Sequence, residues 1–295
     1  MLTSLMIAAA AATAPTIVST EAYEWRGDTI VQGEYRAWAV SPEEIKSTYH
    51  ARPGYFMPIE QSWRRKNDLS AYPRLEASNR LLQAVFNMGL DEMVNAVEPD
   101  TTLRTGKEWA GVWTRDVSYS IILSMAALQP EASRISLMRK VNEQGQITQD
   151  TGSGGAWPVS SDRLVWVLAA WEVYKVTGDR AWLETAYPIA CRSLAKDSET
   201  VARSGLMTGE TSFIDWREQS YPKWMQTADI AKSEAMGTNM LYAASVRVVS
   251  QMAAMLGKKS EAREYAERAD DIAARVNARF WDDSMGDYFM YTYGR

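Results

Sequence analysis

The segment between residues 209 and 224 combines carboxylates with aromatic rings. It contains Glu210, Asp215 and Glu218 within nine positions, interspersed with four aromatic residues. Cleavage of a glycosidic bond needs a general acid, whose pKa is raised by apolar surroundings, and a second carboxylate across the sugar. The segment therefore has the residue types that carboxylate-based hydrolysis of a glycan requires.

Asp215 has the sequence neighbours that such an acid needs, because it stands between Ile214 and Trp216. Glu218 and Glu210 are alternatives for the same role. A purely structural alternative is an ion pair of Asp215 or Glu218 with Arg217 that stabilises a long loop.

A second candidate site lies at residues 109–116, where Trp109, Trp113, Arg115 and Asp116 precede or open a predicted helix. Arginine offers a planar fork of donors and aspartate accepts from vicinal hydroxyls, so the pair suits a polyol beside a tryptophan platform. Asp116 has a structural alternative as the N-cap of the helix.

A third candidate lies at residues 149–163, where glycines surround Trp157, and Asp162 and Arg163 open the next predicted helix. The glycines favour close backbone approach over a phosphate cradle, since no Lys-Ser/Thr follows and no strand precedes them. Capping is the structural alternative for Asp162. The residues predicted to bind substrate are Trp109, Trp113, Arg115, Asp116, Trp157, Asp162, Arg163, Trp216, Arg217, Tyr221 and Trp224.

Helical hairpins are predicted to hold these three loops on one face. The apolar periodicity predicts seven helices, at 74–95, 116–128, 131–142, 161–176, 179–200, 234–256 and 260–280. Three of them (116–128, 161–176 and 234–256) are apolar on most sides, which is typical of helices surrounded by protein. Their partners are amphipathic, so the pattern predicts an inner and an outer ring, with short turns at one end and long loops at the other. A closed toroid of this type would need about twelve helices, so we interpret the chain as the front part of one.

Composition excludes several classes of protein. The chain has 295 residues, a net charge of -5 and dispersed arginines, which argues against a nucleic-acid surface. One cysteine, Cys191, excludes an internal disulfide framework, and one histidine, His50, removes His-ligated metals and Ser-His triads as ordinary options. No residue pattern demands a cofactor, and the sequence does not indicate an oligomeric state.

The N-terminal region is predicted to be separate from the helices. Residues 1–20 resemble an export signal, with an apolar run at 5–12 that is too short to span a bilayer. That resemblance favours a periplasmic or secreted location, with the cytoplasm as the alternative. Residues 21–70 are predicted to form an extended or β arm, and residues 71–295 the helical domain.

The order of these motifs resembles the six-hairpin, or (α/α)6-barrel, glycosidases, a group that includes glucoamylases, neutral invertases, amylo-α-1,6-glucosidases and processing α-glucosidases. The resemblance covers residues 71–295 and rests on three segments: 113–116, 158–166 and 213–216. It implies an all-α toroid, Asp215 as general acid, and Arg115 and Asp116 as ligands of the terminal sugar of an oligosaccharide.

The resemblance also implies an inverting, exo-acting enzyme whose catalytic base is a late glutamate, and no residue up to Arg295 corresponds to it. We therefore expect little turnover from this chain by itself. Two alternatives stay open: a non-catalytic carbohydrate-binding module on the same scaffold, or another toroid enzyme such as a polysaccharide lyase. The single histidine counts against the common lyases.

Overall fold

The computed structural model describes residues 14–49, 62–150, 161–202, 204–209 and 221–293. The chain divides into two compact units, Met1–Ala96 and Val97–Arg295. The first predicted helix falls in the first unit, together with the first six β-strands of the chain. The domain boundaries predicted from sequence remain predictions.

The first unit contains a six-stranded antiparallel sheet. The chain is therefore not all-α, and the predicted extended or β arm is larger than expected. The strands follow each other in the sheet in chain order. They are β1 (Thr16–Ser19), β2 (Glu24–Arg26), β3 (Thr29–Gln32), β4 (Tyr35–Ser41), β5 (Glu44–Ser47) and β6 (Ser62–Arg64). Strand β1 lies inside the predicted signal-like segment, whereas the apolar run at 5–12 lies outside the described residues.

Two-residue turns connect strands β2 to β4. Arg26 pairs with Thr29 across Gly27-Asp28, and the next hairpin closes in the same way across Gly33-Glu34. Both glycines have positive φ, +51° and +59°. Hairpin turns of this length need a positive φ at their first central residue, which glycine adopts without steric cost.

Helix α1 (Arg80–Asn95) packs on this sheet. Asn79 caps its start, since the Asn79 side chain accepts a hydrogen bond from the Leu82 N–H. Leu81 and Ala84 form a buried cluster with two sheet residues, Ala39 and Ile45. The helix therefore covers the apolar face that the sheet would otherwise expose to water.

Asp91 joins α1 to the chain that follows β6. Its carboxylate is 1% exposed and accepts hydrogen bonds from Trp63 Nε1 (3.0 Å), the Asn67 backbone N–H (2.9 Å) and the Asn67 side chain (2.8 Å). These donors lower the pKa of Asp91 against the opposing effect of burial, the largest single influence on it. A buried charge with this many donors is stable only while all of them are in place.

The second unit is built of helical hairpins, as predicted. Its helices are α2 (Thr114–Ser120, continued by a π-helical stretch Ile121–Met125 and by Ala126–Leu128), α3 (Pro130–Arg139), α4 (Ser161–Thr177), α5 (Arg180–Thr200), α6 (Thr227–Lys232), α7 (Met236–Met255) and α8 (Lys259–Phe280). The short helix α6 was not predicted. The other boundaries differ from the predictions by at most three residues.

The inner helices are α2, α4 and α7, and the outer helices are α3, α5 and α8. Helix α4 contacts both α2 and α7, and each outer helix packs against the inner helix that precedes it. Trp166 in α4 is completely buried and donates through Nε1 to the Leu137 carbonyl of α3 (2.9 Å). The apolar sequence of α4 is explained by protein on all its sides.

The loops that return from outer to inner helices are fixed by side chains on neighbouring helices. In each of three loops a buried backbone N–H donates to a polar side chain, so the loops are positioned without regular secondary structure. The pairs are Leu103 with Ser136 Oγ (2.7 Å), Ile147 with Ser193 Oγ (2.9 Å) and Met207 with Asn239 Oδ1 (2.7 Å).

Short strands mark the entry to α7. Strand β7 (Glu234–Ala235) directly precedes α7 and pairs with β10 (Tyr291–Thr292). Strands β8 (Trp281–Asp282) and β9 (Asp287–Tyr288) form a hairpin at the end of α8. In the parts of the chain that the structure describes, no helix has the length and apolarity that crossing a bilayer requires.

Candidate functional site at the starts of the inner helices

The first inner helix starts two residues before Asp116. The N-cap residue of this helix is Trp113, whose side chain makes no capping hydrogen bond. Asp116 is therefore not the N-cap, and the structural alternative proposed for it is wrong. Asp116 instead lies in the first turn, where the positive end of the helix dipole stabilises a carboxylate. The Thr114 N–H donates to Asp150 Oδ2 from the next loop (2.5 Å), which satisfies one of the donors at the helix start.

Arg115 and Asp162 connect the starts of α2 and α4. Arg115 Nη1 lies 3.2 Å from Asp162 Oδ1, and the two side chains are 8% and 0% exposed. Asp162 Oδ2 also accepts from the Asp150 N–H at 2.7 Å. One residue from each of the two predicted acid-and-arginine motifs, Arg115 and Asp162, therefore takes part in an ion pair between the two helices.

Lys140 completes this network at its outer edge, since its Nζ lies 2.5 Å from Asp150 Oδ1. Burial raises the pKa of Asp162 to about 6, although the Arg115 guanidinium and the Asp150 N–H oppose the shift. Each partner offsets part of the cost of removing a carboxylate from water. The arrangement fixes the relative positions of two helix starts and of the loop between them.

Arg163 faces away from this network, towards the outer helix α5. Its Nη1 lies 2.5 Å from Asp197 Oδ1, and its Nε donates to the Ile147 carbonyl at 3.0 Å. Asp197 is completely buried, and desolvation raises its pKa to about 6 against the lowering effect of Arg163. The adjacent residues Asp162 and Arg163 thus form two ion pairs in different directions.

Trp109 and Trp113 lie in front of α2 and are 46% and 38% exposed. The Trp109 backbone exchanges hydrogen bonds with Gly106 (3.1 Å each), and the Trp113 N–H donates to Thr105 Oγ1 (3.1 Å). Their backbones are therefore held while their rings meet solvent. This combination suits stacking against an apolar face of a ligand.

Tyr221 and Trp224 lie at the start of the third inner helix. Tyr221 is buried in a small cluster with Met225 and Ile230, and its ring packs against Tyr291 at a centroid distance of 5.4 Å. Trp224 is 59% exposed. Tyr221 is thus placed as a core residue of this corner, whereas Trp224 presents its ring to solvent.

Several predicted site residues lie outside the described residues, so their predicted roles remain predictions. They are Glu210, Asp215, Glu218, Trp157, Trp216 and Arg217. The described residues that flank the segment with the three carboxylates are held by contacts near the start of α7. At one end, the Gly209 N–H donates a hydrogen bond to the carbonyl of Ser233 (2.9 Å), which immediately precedes β7. Tyr221, at the other end, packs on Tyr291 of β10, which pairs with β7.

Sequence reasoning missed Lys140, Asp150 and Asp197 as members of these networks. Asp150 sits in the glycine-rich loop without a motif of its own, and Asp197 lies in the amphipathic helix α5, where an acidic residue normally faces water. Among the described residues, no group of three or more His, Cys, Asp and Glu side chains is arranged to hold a metal ion.

The helical hairpins and the polar inner-helix starts define a six-hairpin glycosidase domain. The family model described as the bacterial alpha-L-rhamnosidase six-hairpin glycosidase domain matches residues 144–293, and the chain belongs to this family. The match includes α4 to α8 and the segment with Asp215, and it begins after the Trp113–Asp116 motif. It confirms the resemblance to six-hairpin glycosidases stated above.

One solved structure supports the fold, and a second aligns with it only in part. The crystal structure of a GH78 family rhamnosidase of Bacillus sp. GL1 aligns with 95% of this chain at a TM-score of 0.58 and 18% identity. An alpha-L-rhamnosidase from Dictyoglumus thermophilum aligns with 58% of this chain and 19% of its own, at a TM-score of 0.37 and 16% identity. The chain spans 34% of the length of the Bacillus enzyme. No curated protein sequence matches it.

Proposed function

We propose that this chain contributes to an inverting, exo-acting glycoside hydrolase that removes α-L-rhamnosyl residues from the end of a glycan. The observation that carries the proposal is the Arg115–Asp162 network, which fixes the starts of two inner helices behind Asp116 and Trp113 in a chain that belongs to the rhamnosidase six-hairpin family. A terminal sugar needs carboxylate acceptors and an aromatic face, and this corner supplies both.

The proposed roles divide by exposure. Asp116 accepts hydrogen bonds from sugar hydroxyls, and Trp109 and Trp113 stack on the ring. Arg115 is only 6% exposed, so its contribution is to hold the first turn of α2 in place through its ion pair with Asp162. Asp162 and Arg163 then act as positioning residues and not as direct ligands.

Asp215 is proposed as the general acid that protonates the leaving oxygen. Both flanks of its segment are fixed at the start of α7, through Gly209 and Tyr221. An inverting reaction needs a second carboxylate about 6.5–9.5 Å from the acid, with a water molecule between that carboxylate and the sugar.

Hydrolysis of two substrates tests this assignment. An α-L-rhamnosyl disaccharide has a poor leaving group that needs protonation, whereas 4-nitrophenyl α-L-rhamnoside releases a stable phenolate. Asp215→Asn is expected to slow cleavage of the disaccharide by about 10²–10⁴-fold and to affect the nitrophenyl substrate much less. Glu210→Gln and Glu218→Gln are the matched controls. Equal rates for Asp215→Asn and wild type on the disaccharide would remove Asp215 as the acid.

Binding tests the substrate class separately from turnover. Calorimetric titration with L-rhamnose is expected to give saturable binding that Asp116→Ala abolishes and that Asp215→Asn retains. Saturable binding without cleavage of either substrate by the full-length gene product would favour the binding-module alternative. Absence of rhamnose binding, with binding of another sugar, would contradict the proposed sugar.

A further inference from the structure

Two exposed aromatic rings pack on each other at the start of the third inner helix. The rings of Trp224 and Tyr293 have centroids 5.6 Å apart with an angle of 60° between their planes. They are 59% and 45% exposed. The core of this corner is formed by the buried residues Tyr221, Met225 and Ile230, with the partly buried Tyr291 packed against them, so Trp224 and Tyr293 are not needed to fill it.

Asp229 holds the orientation of Tyr293. The Tyr293 hydroxyl donates to Asp229 Oδ1 at 2.7 Å, and Asp229 Oδ2 accepts from the Gln226 N–H at 2.9 Å, as part of the capping box of α6. An exposed tyrosine on a short strand would ordinarily change rotamers freely. Here a helix cap fixes it, which lowers the entropy lost when a ligand stacks on it.

The chemistry around the rings fits a sugar better than a protein surface. Lys223 and Gln226 are exposed beside Trp224, so polar side chains border its ring. Flat rings bordered by hydroxyl, carboxylate and amide groups match a sugar, which has apolar C–H faces and a rim of hydroxyls.

The position of the pair separates it from the first candidate site. Tyr293 directly follows β10, whose partner β7 leads into α7, whereas Trp113 opens α2. Helix α4 lies between, in contact with both. Neighbouring helix axes are about 8–10 Å apart, so the two helix starts are more than one such spacing and at most about 16–20 Å apart. A monosaccharide cannot cover that distance, whereas an oligosaccharide can.

We propose that Trp224 and Tyr293, held by Asp229, form a second sugar-binding platform that stacks on units of an oligosaccharide beyond the terminal one. This inference rests on the proposed function, since it assumes that the terminal sugar occupies the Asp116 corner. It implies that the substrate is an oligosaccharide chain and not a small glycoside.

Calorimetric titration of the whole chain with two probes tests the platform: L-rhamnose and an α-linked L-rhamnose tetrasaccharide. The wild-type chain is expected to bind the tetrasaccharide more tightly. Trp224→Ala and Tyr293→Ala are each expected to raise the Kd of the tetrasaccharide about tenfold and to leave the Kd of L-rhamnose unchanged. Tyr293→Phe keeps the ring and loses the Asp229 bond, so a smaller increase is expected.

Trp281→Ala is the matched control. Trp281 is 43% exposed and packs edge-on against Tyr288 at 5.0 Å, but it lies in the hairpin after α8. It should leave both affinities unchanged. Unchanged tetrasaccharide binding in Trp224→Ala and Tyr293→Ala would overturn the platform, and so would an equal loss for both probes. If the wild-type chain binds L-rhamnose and the tetrasaccharide equally tightly, the platform is overturned and the proposed function stands. If it binds neither probe, the proposed function is overturned as well.

Discussion

Arg115 Nη1 lies 3.2 Å from Asp162 Oδ1, in an ion pair that joins the first turns of two neighbouring inner helices. The residues are 47 positions apart in sequence. Each belongs to a loop-to-helix motif that suggested sugar binding by itself. In the structure the two motifs depend on each other, so the shape of the candidate site depends on a buried electrostatic contact.

Loss of either partner is expected to destabilise the second unit strongly. Asp162→Asn and Arg115→Met should each lower the free energy of unfolding by about 3–5 kcal/mol, because each leaves a buried partner without its counter-charge. Combining Arg115→Met with Asp162→Asn should cost much less than the sum of the two single changes. Urea denaturation measures these values.

An exposed ion pair provides the matched control. Glu184→Gln removes the Arg180–Glu184 contact, whose side chains are 63% and 57% exposed, and should cost less than about 1 kcal/mol. Additive costs for the Arg115 and Asp162 changes would contradict a direct coupling between them.

The helical part of the fold was predictable because its signals are local. The spacing of apolar residues in α8, and the apolar sequence of α4, specify which helix is amphipathic and which is surrounded by protein. The sheet was underestimated because its strands are three to seven residues long and half-buried, so their alternation is weak. The two-residue turns at Gly27 and Gly33 were the signal that could have revealed it.

The candidate site was predictable in residue type but not in pairing. Arg115 and Asp162 were identified from their own loops, yet no sequence rule links residues on different hairpins without tertiary information. Asp150 and Lys140 were missed for the same reason. The starts of α2 and α4 must be adjacent in space before their charges can be matched.

Asp91 is expected to be the most sensitive polar residue of the sheet unit. Asp91→Ala leaves the Trp63 and Asn67 donors without their acceptor, and should lower the free energy of unfolding by about 3 kcal/mol. Asp68→Ala is the control, since Asp68 accepts hydrogen bonds from the nearby Ser70 at the surface. Thermal unfolding followed by circular dichroism distinguishes the two. Equal effects would mean that the buried network adds nothing.

Cys191 is expected to react slowly with thiol reagents in the native chain. Burial raises the pKa of its thiol, although hydrogen bonds with Tyr265 and Tyr187 partly oppose this shift. A raised pKa lowers the thiolate fraction at pH 8, and the thiolate is the reactive form. The reaction should be about tenfold faster, or more, in denaturant. Equal native and denatured rates, measured with a chromogenic disulfide, would show that the thiol is not shielded.

The buried carboxylates predict an unusual pH dependence of stability. The folded pKa of Asp197 is about 6, above the value of about 3.9 in an unfolded chain, so the folded state binds more protons between these values. The contribution of Asp197 to stability is therefore present at low pH and is lost as pH rises from about 4 to about 6.

Asp197→Asn isolates this effect, because asparagine does not titrate. Between pH 7 and pH 4.5, the free energy of unfolding of wild type should rise by about 2 kcal/mol more than that of the variant. Loss of the Arg163 ion pair changes the free energy of unfolding of the variant at every pH. The measurement is therefore how this free energy changes with pH, and not its absolute value. Asp282→Asn is the control, since serine and backbone donors lower the pKa of the exposed Asp282 and place its titration below this window. Parallel curves for wild type and Asp197→Asn between pH 4.5 and 7 would contradict the raised pKa.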